Sequence, residues 1–159
     1  MLNKYVLPIL AASSLAVEHS YMAHWTQYRL TEMFDASTPL ESLESYFSET
    51  AWRVFQDQIH QANFRNHDSP SEYHTHISKF LKPIEISPAD NQNFFAHTTF
   101  LVKFSNQNGS WLQPMELILT LSDTDGKLAI SQFEGQTTKP IQVKNYVLDQ
   151  AKKCTESRP

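Results

Sequence analysis

Glycine and cysteine are nearly missing from this chain, which has three glycines and one cysteine in 159 residues. Gly109, Gly126 and Gly135 stand far apart, so neither a dinucleotide-binding fingerprint nor a phosphate-cradling loop can be written, because both need clustered glycines. A nucleophile elbow is excluded for the same reason: its serine sits between glycines on a sharp turn. One cysteine, Cys154, cannot form an internal disulfide. Core packing must therefore hold the fold, and a chain of this length buries roughly 68–70% of its unfolded surface. Basic residues are also few, 13 against 17 acidic, for a net charge of −4. That balance argues against a nucleic-acid partner, whose phosphates call for clustered Lys and Arg.

No apolar run approaches the roughly 20 residues that cross a bilayer. The N-terminus instead has Lys4, an apolar stretch from Tyr5 to Ala12, and Ser14-Leu15-Ala16 with small residues at alternate positions. This is the pattern of a secretory signal, residues 1–16, with cleavage expected after Ala16 and a periplasmic or secreted product. A retained N-terminal helix is the alternative. Removing the segment takes away Lys4 and leaves a net charge of −5 on 143 residues.

From residue 17 to Pro83 the spacing is that of helices. Val17, Tyr21, Trp25 and Tyr28 recur at steps of four, four and three, which predicts one buried stripe on a helix over 17–34. Thr38-Pro39-Leu40-Glu41 has the form of a capping box and predicts a short helix from Pro39 to Phe47. Ser48 is placed to cap a third helix, with Trp52, Phe55, Ile59 and Ala62 on its buried face. After a break at Asn66–Pro70, Ser69-Pro70-Ser71-Glu72 predicts a fourth helix carrying Tyr73, Ile77, Phe80 and Leu81 as far as Pro83. Tyr73, Thr75 and Ile77 also alternate, so a strand competes for that segment.

Beyond Pro83 the period changes to two. A brief strand over 83–87 precedes one in which Phe94, Ala96, Thr98, Phe100, Val102 and Phe104 share a face opposite Phe95, His97, Thr99, Leu101 and Lys103. Asn106–Gly109 is a turn, and Trp111, Met115, Leu117, Leu119 and Leu121 line the next strand. Pro114 places the start of that strand near a sheet edge or bulge. Asp123-Thr124-Asp125-Gly126 is a hairpin turn, and Lys127 to Gly135 is a fourth strand. Helices followed by an antiparallel meander predict an α+β domain over 17–136. The tail, 137–159, carries Lys139, Lys144, Lys152, Lys153 and Arg158; Val143, Val147, Ala151 and Cys154 outline a weak helix.

Chemistry is hard to find. The seven histidines, 19, 24, 60, 67, 74, 76 and 97, form no zinc-enzyme motif. Asp57, Asp68, Glu85 and Glu116 are the acid–base candidates, yet spacing puts Asp57 and Glu116 off the apolar faces, where a carboxylate keeps no special reactivity. No catalytic residue, metal or cofactor is expected.

Certain words resemble the DotI/IcmL/TraM family of type IVB secretion and conjugation systems. They are Tyr46-Phe47-Ser48 with Trp52 and Phe55, the strand Met115-Glu116-Leu117-Ile118-Leu119-Thr120-Leu121, and the closing Leu128-Ala129-Ile130-Ser131-Gln132-Phe133. The resemblance spans about 17–136. It implies N-terminal helices on a strongly curved four-stranded antiparallel sheet, the nuclear-transport-factor-2-like cone, serving as a non-catalytic periplasmic interaction module. Envelope or secretion-complex proteins are the implied partners, with a homo-oligomer also compatible. The family's spanning helix is missing, Ala51 stands where a glycine is typical, and the charged tail is additional. A small-molecule-binding protein or enzyme using the open end of the cone is the alternative.

Overall fold

In the computed structural model, the backbone is described for residues 7–62, 74–107, 109–137 and 141–142, and side chains for 18–58, 74–107 and 109–135. Helix α1 (Leu7–Met33) is followed by a 3-10 helix, Leu40–Tyr46, and by α2 (Glu49–Ala62). Six strands come next: β1 (His74–Phe80), β2 (Glu85–Pro88), β3 (Asn93–Asn106), β4 (Gly109–Thr124), β5 (Lys127–Thr137) and β6 (Ile141–Gln142). All strand pairings are antiparallel. The molecule is α+β, as expected, with helices packed on the sheet.

The sheet is four lanes wide, and its two outer lanes are each made of two strands. β1 and β2 share one edge of β3, pairing with 100–105 and 94–97, while β5 and β6 share the far edge of β4. The four expected strands thus become six. Pro114 explains the break in the last lane. It pairs with Leu101 on the β3 side, but on the other side the β5 ladder stops at Met115 and β6 begins at Leu112. A residue with no N–H to donate falls where the described second edge has no partner, in keeping with its expected place near an edge. Ile141 and Gln142, assigned above to the tail, extend the sheet beyond 136.

The fourth helix does not form where its face was drawn. His74–Phe80 is a strand, with Thr75 buried and His74 and His76 exposed. The competing alternation wins because β3 would otherwise leave its backbone donors and acceptors at 100–105 bare along one edge, and β-branched Thr75 and Ile77 fit a pleated surface. The break at 66–70 and the capping sequence Ser69–Glu72 lie outside the described residues, as do Cys154 and the tail stripe.

Helix α1 ends where expected but begins at Leu7, ten residues before the expected start and continuous across Ala16, and its buried stripe is turned by one position. Met22, Thr26, Leu30 and Met33 face the core, whereas Tyr21 and Tyr28 are 57% and 66% exposed. Counting tyrosine as apolar and threonine as polar rotates the face by about 100°. Thr26 lies fully buried, and its hydroxyl has no hydrogen-bond partner among the described residues. Thr26→Val, which keeps the shape and removes the stranded hydroxyl, is expected to stabilise the fold by about 1 kcal/mol in a denaturant titration.

The segment over 39–47 is a 3-10 helix, Leu40–Tyr46, whose N-cap position falls on Pro39 instead of Thr38 and carries no side-chain cap hydrogen bond, so the expected capping box does not form: a proline side chain has no acceptor to offer. Ser48 behaves as expected. Its hydroxyl accepts the Ala51 N–H at 3.3 Å and its carbonyl the Trp52 N–H at 2.9 Å. Its own N–H donates to the Ile130 carbonyl at 2.9 Å, which pins the start of α2 to β5. Phe47, Trp52 and Phe55 then cluster with ring centroids 4.9–5.9 Å apart, and Phe55 reaches Phe133 of β5 edge-on. On the other side, Phe34 at the end of α1 meets Phe100, which also touches Phe80.

The meander obeys its turn signals. Asp125 and Gly126 both have positive φ between Thr124 and its partner Lys127, and the Asp123 carboxylate accepts the Gly126 N–H at 3.0 Å. That is a type I′ hairpin, which Gly enters without a steric cost. Irregular register in β1 (Ile77/Lys79) and between β4 and β5 (Thr120/Leu121) bends the sheet. At Gly135 the two strands approach so closely that a Cβ would overlap the Leu117 side chain.

Candidate interaction surface

The residues with chemical potential are scattered. Asp57 is exposed on α2, and Glu85, Glu116 and His97 are exposed on the face of the sheet turned away from the helices. Glu85 stands directly across from His97. His74 and His76 share that outer face on β1, because alternate residues of a strand point the same way. His24 is exposed, and His19 packs its ring edge-on to Phe94 at 6.0 Å. Among the described residues no three His, Cys, Asp or Glu side chains gather as metal ligands would. Asp68, His60 and His67 have no described side chain.

One surface does converge, at the junction of α1 with the 3-10 helix. Arg29 projects from α1 with its guanidinium carbon 4.0 Å from the Tyr46 ring centroid, 5.1 Å from Tyr28 and 5.7 Å from Trp25. Trp25 in turn meets Tyr46 edge-on at 6.3 Å. Glu32, one helical turn on, holds the guanidinium through a 2.8 Å ion pair whose side chains are only 17% and 23% exposed. Each cation–π contact is worth about 0.5–2 kcal/mol at such partly desolvated positions. Arg29 therefore fixes three aromatic rings in place. Tyr21 and Tyr28 extend this patch into solvent.

A groove of 390 Å³ lies between the 3-10 helix and α2, lined by Leu40, Glu41, Glu44, Glu49, Trp52 and Arg53. Its Arg53–Glu49 pair is 73% and 81% exposed and adds little to stability. Spacing alone hid the Arg29 cluster because it made Trp25 and Tyr28 core residues. The signal was present all the same: a guanidinium four residues after a Trp and three before a Glu shares their helix face.

No family model matches this chain, and no curated protein does. Among solved structures, the fold is similar to that of an IcmL-like type IV secretion system protein from Legionella pneumophila, with a TM-score of 0.63 and 14% identity over 76% of this chain and 94% of that one. The likeness at this identity is one of fold: α+β, with helices on a curved antiparallel sheet.

Proposed function

We propose that this protein is a non-catalytic interaction module of a type IVB secretion or conjugation apparatus, acting in the periplasm after removal of residues 1–16. The observation that carries the reading is the fold likeness, which takes in nearly the whole of a protein described as IcmL-like. Two features support it. Phe47, Trp52 and Phe55, which carry the family resemblance, meet in a single cluster. The Tyr21–Trp25–Tyr28 patch around Arg29 has the composition of an interface hot spot, where Trp, Tyr and Arg dominate binding energy.

The test is affinity purification of the full chain from envelope fractions of its own host, in parallel with a Tyr21→Ser/Tyr28→Ser variant. Both tyrosines are exposed, so the variant keeps its core. Secretion-apparatus components should come down with the parent and fall at least tenfold with the variant. Recovery of no such component by the parent overturns the reading, and equal recovery by both moves the contact elsewhere.

A further inference from the structure

Helix α1 carries a second stripe besides the one that enters the core. Glu18, Tyr21, Trp25, Tyr28 and Glu32 follow steps of three, four, three and four. They form one line, roughly 110° around the helix from the line of Met22, Thr26, Leu30 and Met33. Three rings occupy its middle and a carboxylate closes each end. Trp25 is half-buried against Tyr46, whereas Tyr21 and Tyr28 are exposed, with no helix or strand over them among the described residues. Charge around the stripe has one sign. Residues 18–58 hold seven carboxylates and two cations, and both cations are engaged, Arg29 with Glu32 at 2.8 Å and Arg53 with Glu49 at 2.7 Å. Glu18, Glu41 and Glu44 are exposed and pair with no cation among the described residues. The strand segments 74–107 and 109–135 are closer to balance, with six carboxylates against four lysines. The negative excess thus lies on the helical side, around the aromatic rings.

We propose that the α1 stripe docks an amphipathic helix of a partner, apolar along one seam and rich in Lys and Arg beside it. This rests on the reading of the Tyr21–Trp25–Tyr28 patch as the interaction surface, and it gives the partner a chemistry. Rings at heptad spacing suit a second helix laid alongside, because the seam of a helix pair repeats at the same interval. Along the axis the rings rise by about 6 Å and then about 4.5 Å; an extended segment presents one face only every 7 Å or so and falls out of step. From Glu18 to Glu32 the stripe measures about 21 Å, two heptads of contact. Flanking cations on the partner meet Glu18 and Glu32 at the ends, and Glu44 beside Tyr46, while an acidic helix of equal apolar content is repelled. Arg29 remains with Glu32 and Tyr46, so the seam is ordered before the partner arrives, which lowers the entropy lost on docking.

The test uses two fluorescent peptides of about 21 residues, both with Leu at the a and d positions of three heptads, one with Lys and the other with Glu at e and g. Anisotropy titrations with the full chain should show at least about tenfold tighter binding of the Lys peptide, a preference that shrinks as salt rises. Amide shift changes should gather between Tyr21 and Glu32. Tyr21→Ser/Tyr28→Ser should weaken the Lys peptide at least about tenfold. Glu18→Lys/Glu44→Lys should weaken it about fivefold or more, whereas Glu116→Lys/Glu134→Lys, on the outer face of the sheet, should change it by less than about twofold. Equal binding of the two peptides, or no binding of the Lys peptide, overturns the proposal. So does an equal loss in both charge-reversed variants, since net charge alone would then attract the peptide. No secretion component takes part, so failure here is distinct from failure of the purification from envelope fractions: components recovered there while the peptides bind equally keep the function and remove the basic helix.

Discussion

Trp52→Ala is expected to lose about 3–5 kcal/mol, because truncating a large core aromatic forfeits its transfer energy and leaves a cavity. Trp52 is 8% exposed and leans on Phe47 and Phe55 at 5.4 and 5.9 Å. Its neighbours cannot easily collapse into the space. Phe47 is fixed by the bridge to Ile130, and Ser48 by its bond to the same residue. For a chain of this size the loss corresponds to a fall in melting temperature of about 10 °C or more. Coincident melts of variant and parent would mean that Trp52 does not lie on the buried face of α2.

Phe100→Ala should be as costly, about 3–5 kcal/mol. It is fully buried midway along β3, between Phe34 from the end of α1 and Phe80 at the end of β1, at 5.2 and 5.7 Å. Removing it separates the first helix from the sheet and weakens the junction of the β1 and β3 edge. The two substitutions act on opposite ends of the core with no shared ring contact, so their effects should add to within about 0.5 kcal/mol. A double variant measured by denaturant titration checks this; strong coupling would mean that the helices settle on the sheet as one unit.

How much was legible varies by element. The β3–β4–β5 meander could be read because alternation, turn residues and an Asp-Gly hairpin all agreed; its inner face matches the expected one at Ala96, Thr98, Phe100, Val102, Met115, Leu117, Leu119 and Leu121, while Phe104 and Trp111 are only half-buried and Gln113, Leu101 and Leu112 are buried without having been expected so. Helix α2 was legible for a similar reason: Ser48, Trp52 and Phe55 are cap and face in one short stretch. Helix α1 was placed but turned, since an amphipathic tyrosine satisfies a pattern of apolar spacing whether it faces the core or the water. β1 was the hardest, because Thr75, Ile77 and Phe80 suit two periods over seven residues.

Local pattern and residue counts were enough to establish the α+β class, the succession of helix and meander, the turns of that meander, and the exclusion of glycine-dependent chemistry. None of these needs a distant neighbour. It took the packed fold to make 74–80 a strand, to bring Met22 and Leu30 rather than Tyr21 and Tyr28 into the core, and to let Arg29 gather Trp25, Tyr28 and Tyr46 across two helices. Each of those outcomes depends on which surface another part of the chain presents: an edge of β3 in need of hydrogen bonds, a core to fill, a ring from Tyr46 seventeen residues further on. Local periodicity carries no information about such distant partners, and long-range pairing overrides it where two periods fit equally well.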